Sequence, residues 1–263
     1  MGQNFTNNTT TPSAEYNYND KLSANYFKIW DTYPIQKYMS LSESAFLCKH
    51  ISPGSKVVLL GSGGGREIPA LLEMNCQITA IDLSVKMLEA GKQRYPDANI
   101  QWIQADLLDL PEDIGVFDAA VSFGAVFNYL LDPACVLRHV RKHLRQDGLV
   151  LMDVINRTHP SERKGSAKLS DGRIRYLYEL AELSDLLLST GFKVKDVCGL
   201  RYLVDLLPAT WNRGEREYQE QTALLERLLR EEELLTQWLP PEQAKFIVLA
   251  AQVSPAEDSN ANQ

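Results

Sequence analysis

A parallel α/β sheet with crossover helices is the fold class that the amino-acid sequence predicts. The first observation is five short apolar runs in the middle of the chain: Lys56–Leu60, Gln77–Ile81, Ile100–Gln104, Phe117–Phe123 and Leu149–Ile155. Near-continuous apolar runs of this length suit strands buried on both faces. The second is the helix-period segments that separate most of them, Glu67–Met74, Ser84–Arg94 and Asp132–Arg145. Strand and helix in alternation build a parallel sheet. The third is local chemistry at the helix starts. Ser84 stands at a cap position, and Asp132-Pro133 supplies a cap followed by a first-turn proline, both matched to the donors a helix start leaves open.

The remaining elements follow in order. Residues 1–18 are mostly Asn, Thr and other polar types and read as a disordered tail. Tyr26, Phe27 and Trp30 fall on one face of a helix, and Leu41–His50 forms a second one closed by Pro53-Gly54. Beyond the fifth strand, residues 156–175 are polar and basic and read as a mobile loop or hairpin over the site. Glu179–Thr190 resumes helical period and stops at Gly191, after which Phe192–Val197 alternates as a strand does. Glu215–Leu239 is a long helix with Leu225, Leu228, Leu235 and Trp238 on one stripe. Phe246–Val253 is a last apolar strand, and the tail from Pro255 is polar. One domain therefore spans residues 19–254 around a core at 56–156, with tails at 1–18 and 255–263.

Composition narrows the function. Of 263 residues 44% are hydrophobic and 23% charged, an ordinary globular balance. A net charge of −7 disfavours nucleic acid and anionic membrane surfaces as partners, since both reward clustered Lys and Arg. Cys48, Cys76, Cys135 and Cys198 are far apart, which fits neither a disulfide framework nor a zinc site and points to the reducing cytoplasm. No apolar run reaches the length of a membrane span. His139 and His143 have the four-residue spacing of metal ligands, but they sit among Arg138, Arg141, Lys142 and Arg145. That is a solvated helix face, and no metal is expected.

The most informative element is Gly61-Ser62-Gly63-Gly64-Gly65, between a buried strand and a helix. Such a turn lies at the carboxyl edge of an α/β sheet, where backbone without side chains lets a ligand approach. Asp82 ends the next strand, where a carboxylate can accept from both ribose hydroxyls. Dinucleotide sites want a third glycine at position 66, and Arg66 stands there. A nucleoside cofactor without phosphates fits the turn better. The third strand ends in Ala105-Asp106-Leu107, suited to an adenine, and the fourth in Ser122-Phe123-Gly124.

With these pieces in order, the stretch from Lys56 to Asn156 resembles the class I S-adenosylmethionine-dependent methyltransferases. The segments that carry the likeness are VVLLGSGGGRE, ITAIDLS, IQADLLDLP, FDAAVSFGAVFNYL and LRHVRKHLRQDGLVLMDV. The resemblance implies a Rossmann-like seven-stranded, mostly parallel sheet with an antiparallel last strand and helices on both faces. Phe192–Val197 and Phe246–Val253 would be its final two strands. It implies S-adenosyl-L-methionine as cofactor, with Gly61, Gly63 and Gly65 along the methionine moiety, Asp82 on the ribose, and Asp106 with Leu107 on the adenine. Ser62 and Leu83 would be neighbouring contacts, Phe123 would pack beside the sulfonium, and Tyr26 and Trp30 would close over the cofactor. The family's acidic residue two places before the first glycine is replaced by Leu59, so its role would pass to Glu67 or an N-terminal tyrosine.

The expected activity is methyl transfer to oxygen or nitrogen of a small-molecule metabolite, by a monomer or homodimer. Residues 19–50 and 206–241 would form a lid. His159, just past the fifth strand, is the best-placed candidate for a catalytic base, and Tyr129, Tyr176 and Tyr178 would shape the acceptor pocket. Two rival readings are a non-catalytic methyltransferase-like binding module and an NAD(P)-dependent oxidoreductase.

Overall fold

The structure is a computed structural model and describes residues 20–162, 174–202 and 218–255. Among the described residues seven strands form one sheet: β1 (Lys56–Leu60), β2 (Gln77–Asp82), β3 (Ile100–Gln104), β4 (Phe117–Ser122), β5 (Leu144–Ile155), β6 (Phe192–Leu200) and β7 (Phe246–Val253). Their order is β3-β2-β1-β4-β5-β7-β6, and only β7 runs antiparallel to its neighbours. The seven strands and the antiparallel last one are as the sequence predicts.

Among the described residues seven α-helices cover the sheet: α1 (Asp20–Thr32), α2 (Pro34–His50), α3 (Ile68–Glu73), α4 (Val85–Arg94), α5 (Pro133–Lys142), α6 (Leu180–Ser189) and α7 (Tyr218–Trp238). Side chains alternate across the strands, so each contributes to two core layers. Val57 and Leu59 of β1 face a layer with Ile35, Phe46 and Leu47 of α2 and Leu228 of α7. Val58 and Leu60 face the other, with Val136 and Val140 of α5 and Leu183 and Leu187 of α6. The cap signals act as read: Ser84 Oγ accepts from Met87 N at 3.4 Å and Asp132 Oδ1 accepts from Cys135 N at 2.8 Å.

Several boundaries differ from expectation. The second helix starts at Pro34 instead of Leu41, with proline in its first turn, where no amide hydrogen is needed. Its inward stripe is interrupted by a fully buried acid, Glu43, which hides the period. The fifth helix stops at Lys142 because Leu144 already pairs with Phe117, and the chain bulges before Leu149 resumes the ladder. Among the described side chains of α7 the buried ones are Leu224, Leu228 and Glu232, while Trp238 is 80% exposed. Of the predicted stripe, Leu228 is buried and Leu235 half-buried as expected, Trp238 departs from it, and the side chain of Leu225 lies outside the described ones. Residues 1–18 and most of the polar stretch expected to cover the site lie outside the described residues.

Candidate active site

Strand order reverses between β1 and β4: the chain runs outward through β2 and β3 on one side, and through β5 on the other. The carboxyl ends of β1 and β4 therefore border the crevice in which open α/β sheets take ligands. A cavity of about 350 Å³ lies there, within the range of small-molecule sites.

The glycine turn forms one wall. Gly61 and Gly63 have φ of +65° and +53°, the left-handed region that favours glycine. A Cβ on Gly61 would meet Val126 at 2.8 Å, and one on Gly63 would come within 3.1 Å of the Tyr26 hydroxyl. The turn is clamped by Asp82, whose Oδ2 accepts from Gly63 N at 2.7 Å and Oδ1 from Ser84 N at 2.8 Å. Burial raises the Asp82 carboxyl and these backbone donors oppose the rise. Asp106 is held at the end of β3, where its Oδ1 accepts from Leu108 N at 2.9 Å.

The opposite wall begins at Gly124, followed by the short 3-10 turn Val126–Tyr129. Buried Asn128 staples that turn to the end of β5: its Oδ1 accepts from Ile155 N at 3.0 Å, and its Nδ2 donates to Tyr176 O. Val126, Tyr129, Leu130 and Leu131 consequently face the cavity, with Ile29 and Trp30 of α1 above them.

Most of the expected residues come together. Gly61, Gly63, Asp82, Leu83, Asp106, Leu107, Phe123 and Tyr26 all line the cavity. Ser62 and Gly65 are not among its lining residues; Ser62 is buried in the turn, its amide bonded to Ile81 O at 2.9 Å.

His159 is placed apart from these residues. It does not line the cavity, and its ring is buried with Nδ1 2.7 Å from Ser161 Oγ. Beside it Glu162 pairs with Arg175 and with Lys245, the latter at 3.0 Å. The histidine thus belongs to a polar turn past β5 and is not among the residues that line the cavity. Tyr176 and Tyr178 are also outside the lining; the Tyr178 hydroxyl donates to Phe127 O at 3.1 Å and supports the 3-10 turn from behind. Of the two expected lid segments, α1 supplies lining residues, whereas the described part of α7 supplies none and packs on α2 and β6.

Sequence reasoning missed the charged floor of the site. Arg66 lines the cavity, and its guanidinium lies 4.0 Å from the centre of the Trp30 ring. Arg66 Nη2 pairs with Glu43 Oε2 at 2.6 Å and Nε with Glu67 Oε1 at 2.9 Å, all three side chains being buried. Asp153 of β5 adds a third carboxyl, whose Oδ1 accepts from Ala125 N at 2.8 Å. Burial raises the Glu43 and Glu67 carboxyls and pushes Asp153 up to about 6, with Arg66 pulling each back down. Glu67, a candidate for the missing acid's role, is thereby engaged with Arg66 and absent from the lining. The available signal was an acid inside an apolar pattern, at Glu43 and again at Asp153.

Comparison with known proteins agrees with this geometry. Residues 58–152 match the family model described as a methyltransferase domain. The ubiquinone biosynthesis O-methyltransferase of Xanthomonas axonopodis pv. citri is 24% identical over 213 residues, 74% of this chain and 89% of that protein. The 2-phytyl-1,4-naphtoquinone methyltransferase of Nostoc sp. is 30% identical over 108 residues, 38% of this chain and 47% of that protein. Among solved structures, Haemonchus contortus phosphoethanolamine N-methyltransferase 2 in complex with S-adenosyl-L-methionine superposes with a TM-score of 0.66 at 17% identity. That match covers 92% of this chain and 59% of the other. Among the described residues no helix is long and apolar enough to cross a membrane, and no group of three or more His, Cys, Asp or Glu could hold a metal ion.

Proposed function

Because the chain belongs to the class I S-adenosylmethionine-dependent methyltransferases, we propose that it methylates a small, ring-bearing, largely apolar metabolite on oxygen or nitrogen. The chain is an enzyme that uses S-adenosyl-L-methionine. The observation that carries the acceptor class is the two-ended cavity. Acids sit at its β2 and β3 side, Asp82 and Asp106, while Ile29, Trp30, Val126, Leu130 and Leu131 make the other end apolar. By their names, one relative is an O-methyltransferase of ubiquinone biosynthesis and another a 2-phytyl-1,4-naphtoquinone methyltransferase, which supports a quinol-like ring as acceptor.

The residues present fit the cofactor's chemistry. In this reading Asp82 accepts from the ribose hydroxyls, Asp106 and the Leu107 amide meet the adenine, and the bare glycine turn leaves room for the methionine chain. Phe123 and Tyr26 flank the sulfur. When bound, S-adenosyl-L-methionine supplies a sulfonium methyl whose leaving group is a neutral thioether. The protein's part is then alignment and exclusion of water. Apart from Asp82 and Asp106, the titratable side chains lining the cavity are Tyr26, Arg66 and Tyr129, so no imidazole is among the described lining residues. That favours an acceptor acidic enough to ionise without a strong base, such as a phenol or quinol, or one that loses its proton after transfer, such as an amine. Work in the cytoplasm belongs to the same proposal, supported by four cysteines that are all free.

Calorimetric titration with S-adenosylhomocysteine tests the cofactor site. The wild type should bind it and ignore NAD⁺, and Asp82→Ala should weaken binding at least roughly tenfold, the cost of losing a charged acceptor. Transfer of labelled methyl to a panel of catechols, quinols and aryl amines tests the acceptor. Turnover confined to aliphatic acids or peptides would overturn the ring-bearing class.

A further inference from the structure

Most titratable side chains that line the cavity among the described residues are already engaged or stand at its cofactor side. Asp82, which ends β2, accepts from the Gly63 and Ser84 amides, and Asp106, just past β3, accepts from the Leu108 amide. Arg66 is buried against Glu43 and Glu67. Tyr26 stands over the glycine turn, its hydroxyl 3.1 Å from a Cβ placed on Gly63. Tyr129 is of another kind. It ends the 3-10 turn that follows β4 and lines the cavity beside Val126, Leu130 and Leu131.

That turn is a fixed wall. The Ala125 amide donates to buried Asp153 at 2.8 Å, Asn128 Oδ1 accepts from the Ile155 amide at 3.0 Å, and Phe127 O accepts from the Tyr178 hydroxyl at 3.1 Å. Bonds of this kind hold the backbone that carries Tyr129 from behind, as a preorganised site requires.

With the ribose and adenine contacts proposed at β2 and β3, the acceptor is left the β4 side, which is apolar apart from Tyr129 and the Trp30 indole. A phenol oxygen brought there gives up its water, at a cost unless a protein group bonds it. Trp30 offers only a donor, and its ring is packed against the Arg66 guanidinium at 4.0 Å. The Tyr129 hydroxyl accepts as well as donates. It can accept from a neutral phenol and, after turning, donate to the phenolate. The bond to the ionised oxygen is the stronger one, so such a partner favours ionisation of the acceptor. Asp82 and Asp106 oppose an anion in the cavity, and Arg66 is offset by its two acids.

Resting on the phenol or quinol acceptor proposed above, we propose that Tyr129 is a catalytic residue whose hydroxyl bonds the acceptor oxygen and stabilises its ionised form. The acceptor's proton leaves to water. The oxygen's electron pair then forms the bond to the methyl carbon as the carbon–sulfur bond breaks, and the pair of that bond stays on sulfur. Phenolate and sulfonium give a neutral ether and a neutral thioether.

The test follows 4-nitrocatechol, whose ionisation is read from its absorbance, bound to the protein together with S-adenosylhomocysteine. That product carries no sulfonium, so the midpoint reports the protein's own groups. In Tyr129→Phe, which keeps the ring and its packing, the bound probe should ionise about one to two pH units higher than in the wild type. That is the size expected for loss of a hydrogen bond to a charged group. With S-adenosyl-L-methionine and the same acceptor, kcat of the variant should fall roughly tenfold near neutral pH and recover as pH rises. A midpoint that the substitution leaves unchanged, or a kcat deficit that is the same at every pH, would overturn the proposal. Parallel loss of S-adenosylhomocysteine binding in the variant, measured by calorimetry, would mean that Tyr129 acts through the fold and would overturn it too. Failure of the wild type to take up 4-nitrocatechol while it binds S-adenosylhomocysteine would bring down the phenol acceptor and this proposal with it, and leave the cofactor assignment standing.

Discussion

Asp153 is a carboxyl placed inside an apolar strand, fully buried beneath the wall of the cavity. Its Oδ1 has the Ala125 amide and its Oδ2 has no hydrogen-bond partner. Burial pushes its pKa from 3.8 up to about 6, so the folded protein holds this proton where the unfolded chain has released it. The stability from the neutral form is complete below the unfolded value and is lost as pH rises through the folded one. Asp153→Asn, neutral throughout, should therefore gain on the wild type across that window by on the order of 3 kcal/mol. Urea denaturation of the cofactor-free proteins at about pH 4 and about pH 7 reads this difference directly. A gap between the two proteins that stays constant with pH would mean the carboxyl ionises normally in the fold.

Among the elements, α2 and α7 show how a single acid can disguise a helix's inner face. Ile35, Tyr38, Met39, Phe46 and Leu47 make the inward stripe of α2, and Glu43 interrupts it because Arg66 receives it. On α7 the inward positions are Leu224, Leu228 and Glu232, and Glu232 lies close enough to buried Tyr38 to help raise its hydroxyl. Leu228→Ala should cost about 2–4 kcal/mol through the cavity it leaves. Trp238→Ala should stay within about 0.5 kcal/mol, as an exposed substitution does. Chemical denaturation of both variants checks the phase of the helix; a large loss at Trp238 would restore the stripe expected from the sequence. Element order and most ends were legible without coordinates, because caps, prolines and strand length act within a few residues. Glu43 and Glu232 were not, because an acid is placed inward by a partner distant in sequence.

At the level of the whole molecule, the cavity is closed by pieces drawn from three regions of the chain. The glycine turn and Asp82 come from the first strands, Gly124–Leu131 from the segment after β4, and Tyr26, Ile29 and Trp30 from α1. A ligand that fills the space must rest against α1, so its binding should slow exchange of amides there. Hydrogen exchange with and without S-adenosylhomocysteine should show added protection over residues 20–32 and little change in β7. Protection confined to the glycine turn would mean that α1 takes no part in holding the cofactor.

The lining residues that could be read from the sequence, Gly61, Gly63, Asp82 and Asp106 among them, are those whose place follows from being at the end of a strand. A strand's carboxyl end and the turn after it are local facts, written in a few consecutive residues. The charged floor is of another kind. Glu43, Arg66 and Asp153 lie on α2, in the turn before α3, and on β5, and nothing in the spacing of those positions brings them together. Packing of α2 over β1 and β4 does so, because buried charges hold their places only with partners. His159 marks the same divide from the other side: its position past β5 makes it a candidate base, and the tertiary structure buries its ring in a polar turn apart from the residues that line the cavity.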